Sequence, residues 1–197
     1  MTDFDAALYQ TPLLGVVAYS GTGKTTLIEG LLPLLVQKGL RVAVIKHAHH
    51  QFDVDTAGKD SYRFRQAGAA PTIVASQHRF AVMMETPGQH DLNLSVLIEY
   101  ALLSAPDMIL IEGFKSWPLP KLELHRPVLG HPLHARADGW IRAVASNEDI
   151  ELPPDVERLP LDDLEVLSRW VSAWPARWEN MRHSPRSCGD LNADTST

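Results

Sequence analysis

Seven residues, Ser20-Gly21-Thr22-Gly23-Lys24-Thr25-Thr26, follow a short apolar run. With Ala18 and Tyr19 they match the pattern G-x-x-x-x-G-K-[ST], except that Ala18 stands at the first glycine position. The chemistry of that spacing is anion capture. Gly21 and Gly23 let successive backbone N–H groups turn onto a β-phosphate, a helix N-terminus adds partial positive charge, and Lys24 reaches the β/γ oxygens. The Thr25 hydroxyl is a Mg²⁺ ligand candidate. Such a loop works with a carboxylate at the end of a neighbouring strand, which holds Mg²⁺ directly or through water. Asp107-Met-Ile-Leu-Ile-Glu112 supplies Glu112 where Asp is usual, so metal binding, water orientation and simple turn capping all stay open for it.

A second polar cluster is Lys46-His47-Ala48-His49-His50-Gln51-Phe52-Asp53-Val54-Asp55, continued by Gly58-Lys59-Asp60-Ser61 and by Arg63 and Arg65. It is too polar for a core. It comes after the second strand, which is expected next to the strand carrying the phosphate loop, so it should meet the phosphates at the carboxyl edge of a sheet. As in switch segments, Asp53 is then a candidate for Mg²⁺, and Asp55 joins Lys24 and Glu112 as a catalytic candidate. Two other readings stand beside this one. The three His and two Asp suit Zn²⁺ or Ni²⁺, or the segment is a solvated loop whose imidazoles titrate near neutral pH.

The elements that must position these groups follow from apolar periodicity. Leu13 to Ala18 (LLGVVA) reads as a strand buried on both faces, and Lys24 to Gln37 as a helix stopped by Gly39, kinked at Pro33. Arg41 to Ile45 is a second buried strand, so the chain has βαβ construction. Lys59 to Ala67 has helical character, and Thr72 to Ser76 with Phe80 to Met84 reads as a hairpin. Asp91 to Ser104 is a helix, Asp107 to Ile111 a buried strand, Lys121 to Val128 and Ile141 to Ser146 two further strands, and Asp162 to Trp174 the last helix. The expected class is therefore α/β: a mostly parallel, doubly wound sheet with helices on both faces and an added β-hairpin. One domain over residues 1–174 is expected, with the polar residues 175–197 unstructured.

Composition narrows the partners. The 197 residues carry 18 Lys plus Arg against 24 Asp plus Glu, a formal charge of −6, which argues against nucleic acid. The single cysteine, Cys188, excludes an intrachain disulfide framework and a Cys-built metal site, and fits a reducing cytoplasm. No basic-then-apolar leader opens the sequence and no apolar run approaches the roughly 18 residues of a membrane span.

Taken together, SGTGKTT (Ser20 to Thr26), IKHAHHQFDVDTAGKDSYRFRQAGA (Ile45 to Ala69), TIVAS (Thr72 to Ser76), ETP (Glu85 to Pro87), ILIEGFK (Ile109 to Lys115) and IRAVAS (Ile141 to Ser146) resemble one family. This is the molybdopterin-guanine dinucleotide biosynthesis protein B (MobB) family of P-loop GTPases, and the resemblance runs from about Leu13 to Val171. It implies a homodimeric GTP-binding protein with weak GTPase activity and Mg²⁺. Such a protein assists a MobA-type guanylyltransferase that joins GMP to molybdopterin in molybdenum cofactor biosynthesis. Ser20 to Thr26 would then bind phosphates, and Thr25 with Glu112 would serve Mg²⁺. His47, His49, His50, Lys59, Asp60, Ser61 and Arg65 would face substrate or partner. Ser146 and Asn147 lie where related GTPases read the base, but the Lys-x-Asp of common guanine readers does not follow Asn147, so guanine specificity is inherited from the family.

Two rivals keep the fold and change the task. A nucleoside or small-molecule kinase would need an Arg-rich lid, for which Arg63, Arg65 and Arg79 are the nearby candidates. A nickel or zinc metallochaperone GTPase would use the His cluster. A third reading is a non-enzymatic adaptor in which nucleotide only sets conformation.

Overall fold

Side chains on a strand alternate between the two faces of its sheet, so a strand buried at every position must be covered on both sides. In the computed structural model, which describes residues 4–48, 53–86, 93–183 and 185, four strands have this property. The chain runs β1 (Leu13–Val17), α1 (Lys24–Gln37), β2 (Val42–Lys46), α2 (Asp60–Gln66), β3 (Thr72–Ala75), β4 (Phe80–Met83) and α3 (Leu94–Leu102). It continues with β5 (Met108–Glu112), β6 (Lys121–His125), β7 (Ile141–Ser146), β8 (Glu157–Pro160), α4 (Leu164–Ser172) and α5 (Trp174–Met181). All residues of β1, β5, β6 and β7 are buried, whereas β2 and β8 are largely open. The six pair in the order β2-β5-β1-β6-β7-β8, every pair parallel, with the open strands at the edges.

This order corrects one expectation. β2 is not the neighbour of β1: β5 lies between them, pairing Val16 with Glu112 on one side and Lys46 with Glu112 on the other. The reason is burial, because Met-Ile-Leu-Ile of β5 satisfies an interior place and β2 does not. Glu112 therefore comes directly beside the strand that carries the phosphate loop.

Two compact units are present, Met1–His47 with Leu94–Thr197, and Ala48–Asn93. The second holds α2 and the antiparallel hairpin β3–β4, with Thr72 opposite Met83 and Ala75 opposite Phe80. Within the first, α1 packs on α4 at Gly30, where a Cβ would come within 2.9 Å of Leu164 Cδ1. Among the described residues no helix is long and apolar enough to cross a membrane.

The chain also stays folded past Pro175. That proline occupies the first turn of α5, where its missing N–H costs nothing, so it opens a helix instead of ending the fold. Trp174 is fully buried and donates from Nε1 to the Leu13 carbonyl at 2.9 Å; Trp178, 2% exposed, donates to the Tyr9 carbonyl at 2.9 Å. Arg182 Nη1 completes the clamp on the carbonyls of Ala7 and Tyr9, at 2.9 and 3.0 Å. β8 has no signature in the sequence pattern, because Glu-Arg-Leu-Pro buries only Leu159 and shows no alternation. Lys121 to Val128 ends as a strand at His125, since Pro127 opens a 3-10 turn.

Trp178→Ala should cost about 3–5 kcal/mol in urea unfolding, the range for deleting a buried aromatic. A loss below about 1 kcal/mol would show that the residues after Pro175 are not part of the folded unit.

Candidate functional site

β1 ends in the turn Ala18 to Gly23, and Gly21 (φ +79°) and Gly23 (φ +105°) take left-handed conformations that side chains disfavour. A Cβ at either position would meet nothing within 4 Å, so the space beside each glycine is open. Gly23 is the N-cap of α1 and no side chain caps that helix. Its first-turn N–H groups are therefore available to an anion, reinforced by the helix dipole. Thr22 is buried and ties the loop to itself, its N–H and Oγ1 both donating to the Tyr19 carbonyl, at 3.4 and 2.9 Å.

Lys24 Nζ donates to the carbonyls of Ala18 and Tyr19, both at 3.3 Å. Burial lowers its pKa, Glu112 opposes that shift, and the like charges of Lys115 and Lys46 add to it. Glu112 is 8% exposed, with Lys46 Nζ 3.9 Å from its carboxylate. Lys115 Nζ lies 4.8 Å from the centroid of the Tyr19 ring. One buried carboxylate and three lysines thus gather at the carboxyl ends of β1, β2 and β5, a field suited to a polyanion. Thr25, exposed at the start of α1, and Glu112 present hard oxygen donors of the kind Mg²⁺ takes. Lys46 and Lys115 are legible in the sequence only as parts of longer motifs, not as a charge cluster.

His47 donates its backbone N–H to the Glu112 carbonyl at 2.9 Å, and its ring stacks on Phe114 at 4.9 Å. Gly113, at φ +96°, admits this approach, since a Cβ there would lie 3.1 Å from His47 Cβ. Ser146 and Asn147 line a cavity of about 320 Å³ at the end of β7, with Asp149, Arg158 and Pro160. Ser146 is buried and its Oγ accepts from the Glu148 N–H at 3.2 Å, while Asn147 is exposed.

The remaining candidates form a network of their own within Ala48–Asn93. Arg65 donates through Nη1 to Glu85 at 2.7 Å and through Nη2 to both oxygens of Asp53, at 2.9 and 2.8 Å. Asp55 accepts from Ser61 Oγ at 2.7 Å, and its other oxygen is 3.8 Å from Arg65 Nε. The Asp55 backbone N–H, then Arg65, hold the Asp53 carboxyl below its ordinary pKa. Asp60 opens α2 with Arg63 3.9 Å away, and Lys59 is its N-cap residue. His49 and His50 lie outside the described residues, and among those described no three His, Cys, Asp or Glu side chains converge as a metal site.

Arg126 belongs to no motif in the sequence, and the structure puts it against the phosphate loop. Its Nε donates to the Thr22 carbonyl at 3.2 Å and Nη2 to Asp162 at 3.3 Å. The one signal that could have found it is an arginine directly after a strand at the carboxyl edge. Tyr19 is likewise flanked, by the rings of His131 at 4.2 Å and His134 at 4.4 Å.

Comparison with known proteins gives one consistent result. Residues 13–147 match the family model described as molybdopterin guanine dinucleotide synthesis protein B, MobB. The molybdopterin-guanine dinucleotide biosynthesis adapter protein of Escherichia coli K12 is 48% identical over 164 residues, covering 83% of this chain and 93% of that one. Its Haemophilus influenzae counterpart is 44% identical over 165 residues, covering 82% and 90%. The crystal structure of Bacillus subtilis MobB superposes with a TM-score of 0.65 at 27% identity, over 83% of this chain and 97% of that one.

The His134 turn is held by Glu123, which is fully buried in β6 and accepts the backbone N–H groups of His134 and Ala135, both at 2.8 Å. Burial pushes its carboxyl up to about 7 against the pull of those two N–H groups. The folded state then keeps a proton that the unfolded chain releases near 4.5, so this contribution to stability is present below about 4.5 and is lost as pH rises through about 7. Chemical unfolding at pH 5 and pH 8 should show that decline in the wild type and a flatter profile in Glu123→Gln; identical profiles would reject the assignment.

Proposed function

Because the chain belongs to the MobB family of molybdopterin-guanine dinucleotide biosynthesis proteins, we propose that it acts as a GTP-binding adapter in the attachment of GMP to molybdopterin, with slow GTP hydrolysis of its own. The observation that carries the nucleotide part is the open loop Ala18 to Thr25, which joins the uncapped N-terminus of α1 to Lys24. In this reading the N–H groups from Gly21 to Thr25 bind the β-phosphate, and Lys24 exchanges its two carbonyl partners for phosphate oxygens. Lys46 and Lys115 add attraction at the same edge. Thr25 and Glu112 hold Mg²⁺, which when bound neutralises charge on the β and γ oxygens. The cavity beside Ser146 and Asn147 receives the base, and guanine preference is carried over from the family.

Slow hydrolysis follows from what the cationic groups do. Arg126 spends its guanidinium on a loop carbonyl and on Asp162, so it does not stabilise charge on a γ-phosphate, a contribution worth about 10³–10⁵ where an arginine supplies it. The Asp53–Arg65–Glu85 network orders the Ala48–Asn93 unit, which offers Lys59, Asp60 and Ser61 to molybdopterin or to a MobA-type guanylyltransferase. A homodimer is proposed as well. A two-stranded sheet is marginal alone, and the hairpin exposes Ile73, Val74, Phe80 and Val82, apolar surface that a second copy would cover.

Lys24→Ala should abolish GTP binding in a fluorescent-nucleotide titration with Mg²⁺ while leaving the unfolding curve unchanged; retained affinity would remove the nucleotide reading. Competition of GTP, ATP and CTP for the labelled site should favour GTP. Turnover by the protein alone should stay below the roughly 1–100 s⁻¹ of kinases. Reconstitution with molybdopterin, GTP, Mg²⁺ and the guanylyltransferase should give more dinucleotide cofactor with this chain than without it, and equal yield with fast independent turnover would point to a separate enzyme.

A further inference from the structure

Across a trans peptide the C=O of one residue and the N–H of the next point in opposite directions. Whatever holds the Thr22 carbonyl therefore also aims the Gly23 N–H. In this chain the holder is Arg126, whose Nε donates to the Thr22 carbonyl at 3.2 Å while Nη2 reaches Asp162 at 3.3 Å. The need for such a holder is local. Gly23 sits at φ +105° with no Cβ to restrict it, so this peptide plane is among the freest in the loop.

The far end of the brace is anchored. Asp162 lies between Leu161, whose N–H donates to the Ser146 carbonyl at 3.0 Å, and Asp163, whose carboxylate accepts from the Val166 N–H at 3.0 Å as the N-cap of α4. α4 in turn packs on α1 at Gly30. On its own side, Arg126 follows the last residue of β6 and precedes Pro127, which fixes the start of the next turn. The guanidinium therefore spans the end of β6 and the entry to α4 and touches the glycine-rich loop between them. With a third of its side chain exposed and Asp162 two-thirds exposed, the ion pair contributes little energy; what it supplies is direction.

We propose that Arg126 is a positioning residue for nucleotide binding: by holding the Thr22 carbonyl outward it keeps the Gly23 N–H turned into the phosphate cradle before ligand arrives. This inference rests on the reading that the loop binds a nucleotide and assigns a residue to it that no phosphate-loop motif contains. Without the brace, the peptide between Thr22 and Gly23 rotates among several orientations, and a nucleotide must select one of them at a cost in affinity.

The test compares wild type with Arg126→Ala, Arg126→Lys and Asp162→Asn, using a fluorescent GTP analogue with Mg²⁺ and the backbone amide resonances of Gly21 to Lys24 in nucleotide-free protein. Arg126→Ala should weaken the analogue about tenfold, the loss expected when the binding-competent orientation of the Thr22–Gly23 peptide falls to about a tenth of the population. It should also shift and broaden the Gly23 amide and leave the unfolding midpoint in place. Arg126→Lys, which keeps a cationic donor, should recover part of the affinity, and Asp162→Asn should cost less than Arg126→Ala. If Arg126→Ala unfolds, Arg126→Lys decides the matter: weaker binding with a shifted Gly23 amide supports the brace, and binding within twofold of wild type with an unchanged amide overturns it. Binding within twofold of wild type together with an unchanged Gly23 amide overturns the proposal. A wild type that binds no analogue overturns the nucleotide reading, and with it the proposed role in binding, whatever the amide does.

Discussion

The phosphate loop can be irregular because the strand before it cannot move. β1 is buried on both faces, hydrogen-bonded to β5 and β6, and held at its start by the Trp174 indole on the Leu13 carbonyl. Gly15 lets β6 lie close, since a Cβ there would come within 2.9 Å of Leu119 and Lys121. A strand fixed at one end and on both sides delivers its last carbonyls, those of Ala18 and Tyr19, to set places. Those carbonyls then organise the loop: Tyr19 alone receives the Thr22 N–H, the Thr22 hydroxyl and Lys24 Nζ. The loop is thus tied to itself by backbone acceptors.

Charge at this edge is balanced by position. Glu112 is held beside Lys46 across the β2–β5 pair, and it also acts on Lys24, so one buried carboxylate offsets part of the repulsion among three ammonium groups. An arriving triphosphate with Mg²⁺ would bring both signs of charge to the same place and leave Glu112 with a metal partner as well as its lysine. The cations gathered at this edge are compact lysines, while the arginine at the loop is committed to a carbonyl.

Much of this is legible in the amino-acid sequence, for identifiable reasons. Buried strands announce themselves as apolar runs, so Leu13–Val17, Met108–Glu112 and Ile141–Ser146 emerge to within a residue or two, and glycine with Lys24 marks the loop by chemistry that few other sequences satisfy. Strand order is not legible, since adjacency in a parallel sheet depends on which strand fills an interior place, and that exchanges β2 for β5. Pro175 misleads because proline both ends helices and begins them; only the buried Trp178 and Arg182 decide which. Arg126 escapes because its function lies in one hydrogen bond to a backbone atom 104 residues earlier, a relation that no spacing rule encodes.

That last case bears on how an adapter differs from an enzyme built on the same loop. A fast hydrolase benefits from a cation free to follow charge as it develops in the transition state. An adapter benefits instead from a loop already shaped for the ground-state nucleotide, because its output is a bound conformation. Binding energy not spent on ordering the Thr22–Gly23 peptide remains for holding the nucleotide. An arginine fixed between β6 and the entry to α4 serves the second need and gives up the first. In the proposed reading, the same residue shapes the loop for a nucleotide and leaves its guanidinium unavailable for catalysis.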